Sequence, residues 1–337
     1  MDVRRGTAPI PCALLLIVVG LWACGDSSGP SAPGSWQARS PLQTPRVDFG
    51  TALLGGQLYA IGGFSGSTLS SVEVYDDAAN TWTTRASMPT PRRDLVVAAV
   101  GSKLYAIGGA SYSSPNATTH IAATEEYDPS ANTWTTKADI PVTFVGATTE
   151  RMQYVGGAAA GGLVYVFVLE NVTCGNTRTF AFDPAANTWI TNLAPPPFGG
   201  RYAAAASNDR IYVLVTSPPA CYSGPDPVNT LAEYNPAADA WVILPSLPRG
   251  RSLSALAALG GKLYAIGGIV EPDTLGQSIP TAIVHQFDTA TRTWSAVASM
   301  PTARASLAAA AVGARILALG GHDRNVPLAV VEALTMP

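Results

Sequence analysis

Lys103-Leu-Tyr-Ala-Ile-Gly-Gly109, followed after a variable stretch by Tyr127-Asp-Pro-Ser-Ala-Asn-Thr-Trp134, is the pair of segments that decides the fold. The first is a short β-prone run, and its closing Gly-Gly marks tight backbone approach or positive φ where the chain leaves the strand. The second sets an aromatic residue seven positions before a tryptophan, with Asp-Pro and Asn-Thr turn chemistry between them. It therefore reads as strand, turn, strand. Both segments recur along the chain. The glycine element returns as Gln57–Gly63, Lys262–Gly268 and Arg315–Gly321, while the copies at Leu163–Phe167 and Arg210–Leu214 lack the glycine pair. The aromatic–tryptophan motif returns as Tyr75–Trp82, Phe182–Trp189, Tyr234–Trp241 and Phe287–Trp294. A sixth tryptophan, Trp36, precedes the first glycine element, and the six stand 46, 52, 55, 52 and 53 residues apart.

A Gly-Gly, an aromatic-Asp step and a tryptophan recurring over about 50 residues resemble the kelch repeat. The resemblance covers Ser35 to Pro337. It implies an all-β, closed six-bladed propeller of the kelch type, with four antiparallel strands per blade. The glycine strand occurs six times, but the chain stops after the third strand of the last repeat, near Leu328 to Leu334. The Trp36 segment is the expected missing outer strand, closing the ring and removing its unpaired edges. Small residues cluster where the innermost strands fall: Val96–Val100, Ala203–Ala206 and Leu307–Val312. Alanine runs favour helix by propensity, yet the tandem spacing places them at the crowded axis, where small side chains fit.

The ends and the composition bound the setting. Arg4 and Arg5 precede twelve uncharged residues, Cys12–Ala23, too few for the roughly 20 a membrane span needs. Leu21-Trp22-Ala23-Cys24 resembles the lipobox of bacterial lipoproteins, with bulky Trp22 departing from the pattern. The expected organisation is an export signal at 1–23, a lipid-anchor cysteine (Cys24) and flexible tether at 24–34, and the propeller at 35–337. That places the protein at the cell envelope, on the extracytoplasmic side; plain secretion is the alternative. Charged residues are 13% and the net charge is -3, which argues against a nucleic-acid partner.

Candidate site residues come from positions that share the repeat and from those that escape it. Arg46, Arg92, Arg251 and Arg304 each follow a tryptophan by ten residues, and Arg201 follows Trp189 by twelve; Phe144 takes the place in the third repeat. At the start of each inner strand they are expected to surround one mouth of the axial channel. There they either bind an acidic ligand through bidentate hydrogen bonds or serve as scaffold. Glu73, Glu125 and Glu332 also recur in phase, which favours structural pairing over catalysis. The six tryptophans, Trp36, Trp82, Trp134, Trp189, Trp241 and Trp294, are expected to serve blade packing. Tyr112 and Tyr222 lie outside the period and are candidate ligand contacts. Cys174 and Cys221 fall in equivalent connections of adjacent repeats, so they are either a disulfide or two separate thiols.

No cofactor or metal is implied: His120, His285 and His322 lie in different repeats without ligand spacing. The copper constellation of some secreted kelch-like oxidases has no counterpart among these residues. Two functional readings follow. One is a non-enzymatic module binding an envelope protein, peptide or glycan through the loop-bearing face, with the bilayer engaged through the acyl anchor. The other is a carbohydrate-active enzyme similar to the kelch-type sialic-acid mutarotases.

Overall fold

The structure is a computed structural model that describes residues 33–114, 117–142, 154–169, 177–217, 229–270, 279–324 and 326–336. The export signal, Cys24, Phe144, Cys174, Cys221 and Tyr222 lie outside the described residues.

The fold is all-β, antiparallel and of the propeller type. Among the described residues the strands form six four-stranded sheets, each ordered from inner to outer strand. The first comprises Gly50–Leu54, Gln57–Ile61, Val72–Asp76 and Thr81–Arg85. The second has Val96–Val100, Lys103–Ile107, Thr124–Asp128 and Thr133–Lys137. The third has Tyr154–Ala160, Leu163–Leu169, Thr177–Asp183 and Thr188–Leu193. The fourth has Arg201–Ser207, Arg210–Ser217, Leu231–Asn235 and Ala240–Leu244, and the fifth Ala255–Leu259, Lys262–Ile266, Val284–Asp288 and Thr293–Val297. In the sixth, Ala308–Val312, Arg315–Leu319 and Val331–Thr335 are followed outward by Ser35–Arg39, with Trp36 opposite Leu334.

The alanine runs are strands, despite their helical propensity. Each inner strand lies beside the inner strands of two neighbouring sheets, the first beside the sixth included. An apolar core cluster fills each junction between successive sheets, one of them packing Leu58 and Tyr75 of the first sheet against Leu317 and Leu319 of the sixth. Small inner residues permit this convergence, and tertiary packing overrides local preference.

The repeated tryptophans tie one sheet to the next. Trp82 Nε1 donates to Ser40 O (2.9 Å), Trp134 to Ala86 O (2.8 Å), Trp189 to Ala138 O (2.8 Å) and Trp241 to Ala194 O (2.9 Å). Trp294 donates to Pro245 O (2.8 Å) and Trp36 to Ala298 O (2.7 Å), in the same pattern. Each motif aromatic stacks on its own tryptophan across the strand pair, as in Tyr75–Trp82 at 4.9 Å between centroids.

The glycine pair has a steric cause. Gly109 has φ +102, and a Cβ there would sit 2.6 Å from the Arg93 carbonyl. The pair turns the chain out of its strand beneath the next connection. Where the pair is missing the strand runs on: Leu163–Leu169 has 7 residues and Arg210–Ser217 has 8, against 5 for Lys103–Ile107.

Candidate functional site

Four of the five candidate arginines are interior groups. Arg46, Arg92, Arg251 and Arg304 are at most 1% exposed. Arg46 donates to Gly62 O at 3.0 Å and pairs with Glu73. Arg92 reaches Ala106 O and Glu125, both at 2.9 Å. Arg304 reaches Val330 O at 2.7 Å and Glu332 at 2.8 Å. Burial lowers the proton affinity of all four, and in three of them a carboxylate opposes it. Of the two alternatives for these arginines, a ligand-binding ring at the mouth and a scaffold role, their burial fits the second. A guanidinium this desolvated needs a fixed partner, and its own sheet provides one.

The fifth sheet departs from this pattern. His285 occupies the register position of Glu73, opposite the equivalent alanine of the second strand. Arg251 donates to Ala265 O at 2.8 Å and meets His285 Nδ1 at 3.0 Å. Burial and the nearby Arg249 push the Arg251 pKa down to about 10. Burial and Arg251 push His285 down to about 4.

Arg201 belongs to a different phase. Ala203 pairs with Leu214 as Gly50 pairs with Ile61. Arg201 thus takes the place of Asp48, not of Arg46. The same register aligns Asp94, Leu253 and Ser306 with it. Asp48, Asp94, Leu253 and Ser306 all have left-handed backbones, with φ of 51, 54, 54 and 51°, a conformation in which Asp is enriched among non-glycine residues.

These positions link into a circuit around the mouth of the axial cavity. Asp94 N donates to Asp48 O (2.8 Å), Asp48 N to Ser306 O (3.2 Å), Ser306 N to Leu253 O (2.9 Å) and Leu253 N to Thr216 O (3.2 Å). Thr216 Oγ1 donates to Arg201 O at 3.2 Å, and the Arg201 guanidinium returns to the Asp94 carboxylate. Arg201 also lies 4.0 Å from Asp48.

Arg93 backs this cluster, donating to Asp94 at 3.0 Å and lying 3.5 Å from Asp48. Its guanidinium is stacked 4.4 Å from the Tyr112 ring centroid and 5.4 Å from that of Phe64. Tyr112 sits on the hairpin Ala110–Ser114/Ala117–His120, and its backbone N–H donates to Thr68 Oγ1 at 3.2 Å. The connections of the first two sheets therefore meet behind the cluster, with Tyr112 facing an arginine.

Burial raises the Asp48 carboxyl pKa, and neighbouring Asp94 adds to the rise; Arg201 and Arg93 oppose it. Asp94 raises the Arg201 pKa against the effect of burial. The cavity below has a volume of about 220 Å³ and is bordered by Asp48, Asp94, Arg201, Tyr202, Ser254 and Ser306 among others. Deeper along the axis, a space of about 370 Å³ is lined by alanines from all six inner strands, with Thr51, Leu53, Val97, Gly157 and Leu256. Among the described residues no group of three or more His, Cys, Asp and Glu could hold a metal. Sequence reasoning missed Asp48, Asp94 and Arg93; the available signal was a polar residue two places after the repeat arginine.

Sheet architecture and repeat together define a kelch-type β-propeller. The chain belongs to the Attractin/LZTR1 beta-propeller family, which it matches over residues 58–327. It is 28% identical over 225 residues to Kelch-like protein terF of Aspergillus terreus, covering 64% of this chain and 46% of that protein. It is 32% identical over 163 residues to human Kelch domain-containing protein 8B, covering 46% of this chain and 44% of that one. The chain thus spans about half the length of these curated relatives. The solved structure titled "Structure of YjhT" superposes with a TM-score of 0.69 at 16% identity, covering 88% of this chain and 96% of that one. At that identity the likeness concerns the fold.

Proposed function

We propose that the chain is a closed six-bladed propeller that takes a reducing sugar at its axial mouth and interconverts the sugar's anomers. Support for closure comes from the Ser35–Arg39 strand beside Val331–Thr335 and from the Trp36 bond to Ala298. The observation that carries the activity is the convergence of Asp48 and Asp94 on the same two guanidiniums at the rim of one cavity.

Anomer exchange needs one proton delivered and one removed. Asp48, in its protonated form, donates to the ring oxygen while the Asp94 carboxylate accepts the anomeric hydroxyl proton. The bond between the anomeric carbon and the ring oxygen breaks, giving the open-chain carbonyl form. Rotation and reclosure reverse both transfers, and no net proton is gained or lost. Two carboxyl groups in unlike surroundings suit such a division of roles: Asp48 is the more deeply set, and Asp94 is held by Arg201.

NMR exchange spectroscopy on a panel of reducing sugars, sialic acid included, tests this with the full chain. The wild type should accelerate exchange for at least one sugar, with loss on Asp48→Asn and on Asp94→Asn. Unchanged exchange across the panel at high protein concentration sinks the enzymatic reading.

A second reading, recognition of a glycan, peptide or protein without turnover, is favoured by the pairing of both Arg93 and Arg201 with carboxylates. Saturable retention on a glycan or peptide panel without anomer exchange would select it. The proposed setting is the extracytoplasmic envelope, with Cys24 lipid-anchored. Mass spectrometry of Cys24 and the membrane partition of Cys24→Ala test that placement.

A further inference from the structure

We propose that the mouth selects an uncharged sugar over an acidic one, with the Ser254 and Tyr202 hydroxyls as additional contacts; this rests on the carbohydrate reading above. Two carboxylates, Asp48 and Asp94, face two guanidiniums, Arg93 and Arg201, and the four side chains are between 11% and 22% exposed. With both carboxyls ionised their sum is neutral, and when Asp48 carries the proton used in the exchange step each guanidinium still keeps Asp94 as its carboxylate partner.

Among the described residues both of these cations are already committed. Arg201 pairs with Asp94 and lies near Asp48, while Arg93 contacts both carboxylates and is flanked by Tyr112 and Phe64. An incoming ligand carboxylate would have to displace a protein carboxylate or lie beside one, and it would lose hydration in either case. A neutral ligand meets neither cost.

The cavity also carries hydroxyl groups suited to such a ligand. Tyr202 and Ser254 line it and are 8% and 6% exposed. Tyr202 OH and Ser254 Oγ are buried and have no hydrogen-bond partner among the described residues. Buried hydroxyls without partners are uncommon in native proteins, and both groups can donate to or accept from a sugar hydroxyl. Burial raises the Tyr202 pKa, so it enters as the neutral phenol. The volume of about 220 Å³ has room for about one sugar ring.

Matched pairs of sugars test the assignment: glucose against glucuronate and galactose against galacturonate, each titrated into the full chain. Saturation-transfer NMR gives affinity and exchange spectroscopy gives turnover. The expected result is at least a tenfold preference for the neutral member of a pair, reduced severalfold in Ser254→Ala and Tyr202→Phe with unfolding midpoints unchanged. Equal affinity within a pair, or preference for the uronate, overturns the charge assignment while leaving a carbohydrate site standing. If neither pair shows saturable binding or accelerated exchange, both the assignment and the carbohydrate reading fall. Should the variants unfold, the wild-type preference alone decides.

Discussion

Replacing Glu125 by Ala should be among the most damaging single changes in the second sheet. Arg92 is 0% exposed, and its guanidinium is held by Ala106 O and Glu125. Without the carboxylate, a full positive charge stays in the interior with one carbonyl as hydrogen-bond partner and only the charge of Asp139 nearby, and Thr90 loses its hydroxyl acceptor at 2.7 Å. Breaking a buried ion pair from one side costs about 3–5 kcal/mol. At roughly 2 °C per kcal/mol for a domain of this size, the thermal midpoint should fall by about 6–10 °C. Urea unfolding followed by far-ultraviolet circular dichroism measures the first quantity, and a thermal scan the second. Two comparisons make the test specific. Lys262→Met, which breaks an exposed pair with 3.8 Å separation, should cost no more than about 1 kcal/mol. Adding Arg92→Met to Glu125→Ala should recover much of the loss, because the stranded charge is then gone. A Glu125→Ala loss below about 1 kcal/mol, or a double variant worse than the single, refutes the claim that a desolvated cation dominates this position.

Three further outcomes follow from the same structure. His285 has a folded pKa of about 4 against 6.5, so the unfolded chain takes up its proton first and stability falls between those values as pH drops. The loss should be about 1–2 kcal/mol after discounting for partial exposure, and it should vanish in His285→Gln; an identical acid profile in that variant refutes it. Trp36→Phe should cost about 1 kcal/mol through the lost bond to Ala298, as Trp134→Phe does through Ala86. A measurable loss for Trp134→Phe with none for Trp36→Phe in urea titrations would deny the N-terminal strand its closing role. Gly109→Ala places a Cβ 2.6 Å from the Arg93 carbonyl, whereas Gly101→Ala meets nothing within 4 Å, so the first should lose at least about 1–3 kcal/mol more. Equal losses would show that φ alone governs these glycines.

The scaffold was legible because its causes repeat. Trp82 and Trp134 each donate to a carbonyl beyond the neighbouring sheet's outer strand, and Gly63 and Gly109 each pass beneath a carbonyl that would clash with a Cβ. One physical demand met at the same phase leaves one mark in the sequence, and the marks reinforce each other. The buried arginines left the same mark, so their pattern identified a shared position but left open whether it serves the mouth or the scaffold. Position alone does not say whether a guanidinium points outward or into its sheet. Glu73, Glu125 and Glu332 already carried the answer, since a cation and an anion recurring together are a pair. Tyr112 differed again: its place outside the period marked it, but Arg93 covering one face of its ring came only from the folded hairpin.

The mouth was hard to read for the opposite reason: its residues matter because they break the repeat. At one phase the chain places Asp48, Asp94, Arg201, Leu253 and Ser306, two acids, a base, an apolar residue and a hydroxyl. The backbone at these points is nearly uniform where φ is left-handed, and successive N–H groups and carbonyls join from Asp94 through to Thr216. Side chains are therefore released from structural duty along that arc, and their identities can vary without loosening the ring. Arg201 is the exception. It spans from the fourth sheet to the second, 107 residues away in sequence, by an ion pair. Counting from Trp189 gives it twelve residues where the other arginines have ten. Those two residues move it from the buried phase to the rim. In the fourth sheet Ala232 occupies the register position of Glu73, so no buried carboxylate waits there for an arginine. The missing acid and the displaced base are two sides of one change. Restoring a buried pair there would take an arginine at Gly199 together with a glutamate at Ala232.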